Sequence, residues 1–158
     1  MAKVYVSKTK YTDKGLFART NLKKDEIIFI IKGSLAKVLS PPEVFEEGQN
    51  WIGIGEDKWI SPSDNSLARY INHSCSPNAG RRGLVTVVAL KDIKKFEQVT
   101  IDYSITEGSP HWKMTCRCGH PRCRKIIRGI QFLSPNQFDR ARHPALRAEG
   151  PHQNKRGF

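Results

Sequence analysis

Three cysteines lie within eight residues of one another, in the segment Cys116-Arg-Cys118-Gly-His-Pro-Arg-Cys123. Thiols this close together can hold one tetrahedral zinc ion, because thiolates bind Zn²⁺ at about 2.3 Å and structural zinc sites take four ligands. A disulfide is the alternative, but the sequence shows no signal peptide, and an intracellular protein keeps its thiols reduced. The spacing therefore predicts a structural zinc site whose fourth ligand lies elsewhere.

The fourth zinc ligand has two candidates. Cys75 is the one remaining cysteine and lies forty-one residues before Cys116, so its use would tie a basic C-terminal loop to the body of the protein. His120 lies inside the cluster and is the competing ligand. We favour Cys75, with His120 still open on spacing alone. Structural zinc contributes on the order of 10–16 kcal/mol in small modules that are unfolded without metal, which is enough to order a segment with little apolar core.

Short apolar runs separated by turns fill the first hundred residues, and long helical periodicity is absent there. The runs are rich in Ile, Val, Phe and Tyr and end at Gly, Asp, Asn, Ser or Pro, which is typical of short strands. We expect strands at Val4–Ser7, Leu16–Arg19, Glu26–Ile31, Leu35–Val38, Trp51–Ile54, Lys58–Ile60, Leu84–Leu90 and Gln98–Tyr103. Short helices are expected at Pro42–Glu47 and Ser66–Tyr70, with one further turn starting at Ser134. The pattern predicts a mainly β domain built from several small sheets.

The charge balance is strongly basic. The 158 residues contain 27 Lys and Arg against 15 Asp and Glu, a formal charge of +12. This balance favours a polyanionic or acidic partner such as nucleic acid or chromatin, and a soluble basic surface is the plain alternative. The length suits one domain, and no run approaches the roughly 20 apolar residues of a membrane helix. We expect no membrane partner and an intracellular protein, nuclear if the host is eukaryotic and otherwise cytoplasmic.

A second unusual segment is Arg69-Tyr70-Ile71-Asn72-His73-Ser74-Cys75-Ser76-Pro77-Asn78. It places Asn, His and Arg side chains, which need hydrogen-bond partners when they are buried, beside a candidate metal ligand. By itself the segment fits a ligand-binding corner and a stiff polar turn equally well.

The same segment resembles the R-[FY]-x-N-H-S-C-x-P-N signature of the SET-domain protein lysine methyltransferases. Gly15-Leu16-Phe17-Ala18 resembles the family's N-terminal turn, and Ala89–Ile93 followed by Glu97–Tyr103 resembles its strand pair ending in Asp-Tyr. Cys116, Cys118 and Cys123 resemble the post-SET zinc loop, whose fourth ligand in the family is the Cys of Asn-His-Ser-Cys. The resemblance covers about residues 3–130, and such an ordered set is far more specific than any one motif.

The resemblance implies a SET-domain fold, mainly β, with several small sheets, a threaded C-terminal segment and a zinc-bound post-SET loop. It implies a SET domain over residues 3–108 and a post-SET zinc-binding segment over 109–133. Residues 134–158 remain as a basic C-terminal tail that we expect to be flexible. The implied zinc ligands are Cys75, Cys116, Cys118 and Cys123.

In the family, S-adenosylmethionine binds on one side of a narrow channel and the substrate lysine enters from the other. Carried over residue by residue, the implied catalytic residue is Tyr103, with its hydroxyl beside the methyl-bearing sulfur. The implied cofactor-binding residues are Lys14, Gly15, Leu16, Arg69, Tyr70, Asn72, His73 and Ile127. The implied substrate channel contains Ile31 and Ile101.

Some positions depart from the family's pattern. Asp25 and Phe96 stand at the glycines of two Lys-Gly-Glu turns, and because Phe tolerates a left-handed backbone poorly, we expect the turn at 95–97 to differ. Ile31 stands where the family often has a tyrosine that lines the lysine channel, which bears on activity. Ile101 is smaller than the usual Phe or Tyr, which favours higher methylation.

We therefore expect an S-adenosylmethionine-dependent protein-lysine N-methyltransferase acting on a protein substrate, with histones and chromatin proteins as candidates. The competing hypothesis is a weakly active or inactive SET domain that serves as a basic module for nucleic acid or chromatin. A small zinc-dependent nucleic-acid-binding protein is a third, which leaves Asn72-His73 and Asp102-Tyr103 unexplained. A homodimer is a further expectation. Acids at the channel mouth would help to attract a basic peptide, and the candidates are Glu46, Glu47, Glu56, Asp57 and Glu107.

Overall fold

The computed structural model describes residues 2–10, 12–37, 51–55 and 58–142. Its strands are β1 (Val4–Lys8), β2 (Lys14–Ala18), β3 (Ile27–Ile30), β4 (Gly33–Lys37), β5 (Ile52–Gly55), β6 (Lys58–Pro62), β7 (Asn72–His73), β8 (Ala79–Arg82), β9 (Thr86–Ala89), β10 (Gln98–Ile101), β11 (Lys113–Thr115) and β12 (Ile126–Arg128). Its helices are the short 3-10 helices Leu67–Tyr70, Tyr103–Thr106 and Ile130–Phe132, and the α-helix α1 (Pro135–Ala141). No helix in these ranges is long and apolar enough to span a membrane.

The strands form small sheets rather than one large one. Their orders are β1-β2-β10-β7, β3-β9-β8, β4-β6-β5 and β11-β12. Neighbouring strands are antiparallel except β10 and β7, which run parallel. The prediction of a mainly β fold with several small sheets is therefore confirmed.

The core lies around β2, β9 and β10. Leu16, Val87 and Val99, one from each strand, are fully buried. Each such side chain adds roughly 1.5–3 kcal/mol to stability by leaving water. Ile31 and Ile101 belong to the same apolar core, and the ring of Tyr103 packs against it. The core therefore fixes the strand ends from which the polar segments at residues 71–75 and 102–103 project.

The predicted elements correspond closely to the observed ones. The predicted strands match β1–β6, β9 and β10, with ends displaced by no more than two residues. Ser66 caps the 3-10 helix Leu67–Tyr70 by accepting a hydrogen bond from the Ala68 N–H at 3.4 Å. The predicted helix at Pro42–Glu47, the Val38 end of one strand and the acids at 46, 47, 56 and 57 lie outside the described residues.

The expected flexible tail begins with ordered structure. Ser134 accepts from the Gln137 N–H at 3.3 Å, and the Gln137 side chain accepts from the Ser134 N–H at 2.9 Å. This reciprocal pair is a capping box, and it extends the predicted single turn into α1, which ends on the buried Ala141. Residues 134–142 thus contain a capped helix, residues 143–158 lie outside the described ranges, and the flexibility of the tail stays a prediction.

Two matching tight turns, Lys23–Glu26 and Lys94–Glu97, connect the sheets. In each, the Glu N–H donates to the Lys carbonyl, at 3.1 and 3.0 Å, and the Glu carboxylate accepts from the Lys N–H, at 2.9 and 3.0 Å. Asp25 and Phe96 therefore share a left-handed backbone, with φ of 68° and 70°. The expectation that the Phe96 turn differs is wrong, because these hydrogen bonds impose the turn whatever the side chain. A left-handed non-glycine residue costs roughly 1–2 kcal/mol.

The buried guanidinium of Arg81 forms hydrogen bonds to three parts of the fold. Arg81 on β8 donates to the carbonyls of Gly53 at 2.7 Å, Ile105 at 3.1 Å and Leu84 at 3.4 Å. Burial lowers the pKa of Arg81 to about 10, so it stays charged at neutral pH. Arg81 thereby joins β5 and the turn before β9 to the 3-10 helix Tyr103–Thr106.

Candidate functional site

The candidate site forms where two chain segments run side by side. β7 pairs in parallel with the end of β10, and the register places Thr100 opposite Asn72 and Ile101 opposite His73. The 3-10 helix Tyr103–Thr106, called the tyrosine helix below, starts two residues after β10 ends. This pairing brings the Asn-His segment and the Asp-Tyr segment, about thirty residues apart in the sequence, into one corner.

Hydrogen bonds hold both the side-chain hydroxyl and the backbone N–H of Tyr103. Its hydroxyl donates to the carbonyl of Ile71 at 2.8 Å, and its backbone N–H donates to Nδ1 of His73 at 3.1 Å. Burial raises the pKa of Tyr103 to about 12, so the phenol is neutral at physiological pH. Because its proton is committed to a carbonyl, the hydroxyl oxygen offers lone pairs at a fixed position and does not act as a base.

His73 links the tyrosine to the cysteine cluster. Burial lowers the pKa of His73 to about 4, so the ring is neutral, and the Tyr103 N–H leaves Nδ1 as an acceptor. The remaining ring proton is then on Nε2, which lies 3.3 Å from Sγ of Cys75 and donates toward it. Oδ1 of Asp102 lies 3.6 Å from Nδ1, and with a neutral ring this approach is not an ion pair.

Asn72 ties the corner to the loop before β2. Its Nδ2 donates to Oγ1 of Thr12 at 2.8 Å and to the carbonyl of Lys14 at 2.9 Å. A Cβ on Gly15 would lie 2.8 Å from that Nδ2 and 2.6 Å from Nε2 of Gln98, which explains why residue 15 has no side chain. Oδ1 of Asn72 accepts no hydrogen bond from the described residues, so an acceptor remains beside the β2 backbone.

The other predicted cofactor-binding residues lie around this corner with different exposures. Leu16 is fully buried, so only its backbone can meet a ligand. Arg69 and Tyr70 end the 3-10 helix before β7, and Nη1 of Arg69 donates to the carbonyl of Pro62 at 3.4 Å. Ile127 is 1% exposed on β12, which contacts the tyrosine helix. The structure thus brings Lys14, Gly15 and Asn72 into contact and places Ile127 on a strand that contacts the tyrosine helix.

Four cysteines from two distant parts of the chain converge. The Sγ atoms of Cys75, Cys116, Cys118 and Cys123 all lie within 4.8 Å of one another. Four ligands at 2.3 Å around a tetrahedral zinc ion stand about 3.8 Å apart, and Sγ of Cys75 lies 3.7 Å from Sγ of Cys116. The competing ligand His120 lies outside this group of four, and its Nδ1 accepts from the Arg122 N–H at 3.1 Å. The donor set therefore fits a four-thiolate zinc site.

The thiols of this cluster differ in acidity. Burial raises the pKa of Cys116. Burial also opposes ionisation of Cys118, but backbone N–H groups of Cys75 and His120 lower the pKa of that thiol to about 7. Cys118 therefore supplies a thiolate near neutral pH, which is the form that binds a metal ion.

The sequence analysis did not identify two residues of this corner, Asp102 and Arg124, as site residues. Asp102 is 2% exposed, and its Oδ1 accepts from the Ser104 N–H at 3.0 Å and from Nη2 of Arg124 at 2.6 Å. The backbone N–H of Arg124 in turn donates to Sγ of Cys75 at 3.3 Å. The signal was present, since Asp102 precedes the predicted catalytic tyrosine and Arg124 follows a predicted ligand.

Comparison with known proteins assigns the chain to a family. The family model named "SET domain" matches residues 13–104. Histone-lysine N-methyltransferase trr of Drosophila melanogaster is 28% identical over 136 residues, which are 77% of this chain and 6% of that protein. The H3 lysine-4 specific histone-lysine N-methyltransferase of Schizosaccharomyces pombe is 33% identical over 129 residues, which are 72% of this chain and 14% of that protein.

Solved structures share the fold. The methyltransferase domain of human Histone-lysine N-methyltransferase SETMAR superposes with a TM-score of 0.58 at 18% identity, covering 80% of this chain and 58% of that one. KRYPTONITE in complex with mCHH DNA, H3(1-15) peptide and SAH gives a TM-score of 0.61 at 21% identity, covering 78% of this chain and 29% of that one. With the model match over more than half of its length, the chain belongs to the SET domain family.

Proposed function

We propose that this chain is an S-adenosylmethionine-dependent protein-lysine N-methyltransferase. The observation that carries the proposal is the placement of Tyr103, a neutral phenol held by the Ile71 carbonyl in the corner formed by β7 and β10. Two further observations support it. The similar proteins are named as histone-lysine N-methyltransferases, and one structural neighbour contains SAH and a histone H3 peptide.

The corner fits the proposed cofactor. The methionine end of the cofactor carries an ammonium group, and the unpaired Oδ1 of Asn72, which lies beside the Lys14 carbonyl, supplies an acceptor for it. The proposed binding residues are Lys14, Gly15, Leu16, Arg69, Tyr70, Asn72, His73 and Ile127. When bound, S-adenosylmethionine supplies an electrophilic methyl group on a positively charged sulfur.

The protein's part in the reaction is to position the amine and keep it neutral. A lysine with a pKa of 10.4 is neutral in only about one molecule in 2,500 at pH 7, a cost of roughly 4.6 kcal/mol. Ile31 and Ile101 are 7% and 6% exposed, and we place them along the lysine channel, where an apolar wall lowers the amine pKa by desolvation. The Tyr103 hydroxyl oxygen then accepts a hydrogen bond from the amine and orients it without adding charge.

Zinc is the second proposed bound group, with Cys75, Cys116, Cys118 and Cys123 as its ligands. Its role is structural, because four thiolates leave no open position for a substrate. The metal would hold residues 109–133, the proposed post-SET segment, against the SET domain of residues 3–108. Through that contact it would keep Ile127 beside the tyrosine helix.

The direct test uses methyl-labelled S-adenosylmethionine and the zinc-loaded chain in a cell lysate, with the labelled sites mapped by mass spectrometry. We expect label on protein lysines with the wild type and none with Tyr103→Phe. Tyr5→Phe is the matched control, because Tyr5 lies on β1 and packs on Phe17. Cofactor binding by the wild type with no labelled lysine in the lysate would overturn the proposal.

A second function, nucleic-acid binding, is favoured by the charge of the cysteine loop. Residues 108–138 contain six Lys and Arg and no Asp or Glu. The exposed basic residues there are Lys113, Arg117, Arg122, Lys125 and Arg128. We propose that this surface contacts the phosphate backbone. The affinity for a DNA duplex should then fall steeply with salt, and Lys113→Glu with Lys125→Glu should weaken it while Tyr103→Phe leaves it unchanged.

A further inference from the structure

The cysteine cluster and the tyrosine helix are joined by a chain of buried polar contacts. One route runs from Sγ of Cys75 through the His73 ring to the N–H of Tyr103, at 3.3 and 3.1 Å. The other runs from the same sulfur through Arg124 and Asp102 to the N–H of Ser104. Both routes end on the first two residues of the tyrosine helix.

The second route depends on charge. Asp102 is 2% exposed and caps the tyrosine helix through the same Oδ1 that accepts from Nη2 of Arg124. A buried carboxylate needs a partner, and Arg124 is the one lysine or arginine among the described residues within ion-pair distance of it, at 2.6 Å. The side chain of Arg124 is 15% exposed, so little water would replace it.

Arg124 reaches Asp102 from the cysteine loop. Arg124 directly follows Cys123, and its own N–H donates to Sγ of Cys75 at 3.3 Å, so both ends of the residue are bound to the site. Loss of the cluster therefore removes the charge that Asp102 needs. The first turn of the tyrosine helix would then lose its cap.

We propose that Arg124 and Asp102 are positioning residues that transmit closure of the cysteine loop to Tyr103, so that the tyrosine is correctly placed only when the loop is bound. Neither residue touches the reacting atoms. The proposal rests on the proposed methyltransferase function for its catalytic consequence. The structural coupling stands apart from that function and can be measured by itself.

The test uses the full chain loaded with zinc and compares Arg124→Met with Arg140→Met, an exposed arginine on α1. Amide exchange measured by NMR is the first readout. We expect Arg124→Met to speed exchange at Ser104 at least tenfold, with a smaller effect at Tyr103, whose N–H is held by His73. Exchange in β9 should be unchanged. Arg140→Met should behave as the wild type, and equal acceleration at all amides would instead show general destabilisation and overturn the proposal.

Metal removal tests the direction of the coupling. A chelator should speed exchange at Ser104 at least tenfold in the wild type and have little further effect on that amide in Arg124→Met. The same response in both proteins would contradict transmission through Arg124. If Arg124→Met does not fold, Asp102→Asn replaces it, because Asn keeps an acceptor for the Ser104 N–H and loses the charge. We then expect an intermediate acceleration, and wild-type exchange in that variant would overturn the proposal.

Kinetics supply the last readout. We expect Arg124→Met to keep one zinc per chain, to bind S-adenosylmethionine within threefold of the wild type and to lower kcat at least tenfold. An unchanged kcat in Arg124→Met would contradict the catalytic part of the proposal. If the wild type transfers no methyl group, the proposed function fails, while the exchange results still decide whether the loop and the tyrosine are coupled.

Discussion

Replacing Cys75 with serine isolates the long-range contribution of the proposed zinc site. The change leaves three thiols in the loop and removes the ligand that comes from the body of the protein, forty-one residues earlier in the sequence. A zinc ion bound by both Cys75 and Cys116, as proposed, would close a loop of that length. A cross-link of this span lowers the entropy of the unfolded chain by an amount worth about 4 kcal/mol.

The expected result is a loss of about 4 kcal/mol in the free energy of unfolding of the zinc-loaded protein, and a fall in Tm of ~8–16 °C for a chain of this size. Urea unfolding followed by tryptophan fluorescence measures the first quantity. Atomic emission spectrometry after gel filtration gives the zinc content, which should fall below one ion per chain in Cys75→Ser.

The control is His120→Ala, which removes the competing ligand and should keep a full zinc equivalent, because His120 lies outside the group of four. Metal removal provides a second control. Without zinc there is no link, so the wild type and Cys75→Ser should unfold at the same urea concentration. A stability difference that survives chelation, or a full zinc equivalent in Cys75→Ser, would refute the reasoning.

Three further outcomes are expected. Arg81→Met should lower the free energy of unfolding by about 3 kcal/mol, because the carbonyls of Gly53 and Ile105 lose their buried donor; a loss below 1 kcal/mol in urea unfolding would contradict this. Phe96→Gly should raise stability by about 0.5–1 kcal/mol by relieving a φ of 70°, whereas Phe96→Ala should not, and equal effects would exclude backbone strain as the cause. The methylation rate should rise with pH from 7 to 9 as the substrate amine loses its proton. Tyr103 adds no falling limb there because its pKa is raised to about 12, so a decline between pH 8 and 9 in the stable protein would contradict a neutral-phenol role.

The fold was predictable from the sequence where single residues carry a strong local signal. Ile, Val and Phe runs bounded by turn residues predicted β3 and β9, and Ser66 and Ser134 marked helix starts because a hydroxyl can accept from an unpaired N–H. β8 was missed because Ala79-Gly-Arg-Arg has neither alternation nor β-branched residues. It is a strand because pairing with β9 buries Ala79 and Arg81, which is a tertiary effect.

The residues of the candidate site were easier to predict from the sequence than the hydrogen bonds that join them. Spacing and family resemblance pointed to the four cysteines, and the structure places their sulfur atoms together. The bond between Arg124 and Asp102 joins residues twenty-two positions apart and depends on where the loop closes, which no local pattern encodes. The backbone of Phe96 was mispredicted for a related reason, since hydrogen bonds from neighbouring residues override the preference of one side chain.

The central claim is that Tyr103 orients a lysine amine for methyl transfer in the corner formed by β7 and β10. The most direct test is single-turnover methylation of a synthetic peptide carrying a mapped target lysine, with zinc-loaded wild type and Tyr103→Phe at saturating S-adenosylmethionine. Because misplaced reactants cost about 10²-fold in rate, we predict a loss of at least that size with cofactor affinity within threefold of the wild type. Methyl transfer by Tyr103→Phe at the wild-type rate would contradict the account.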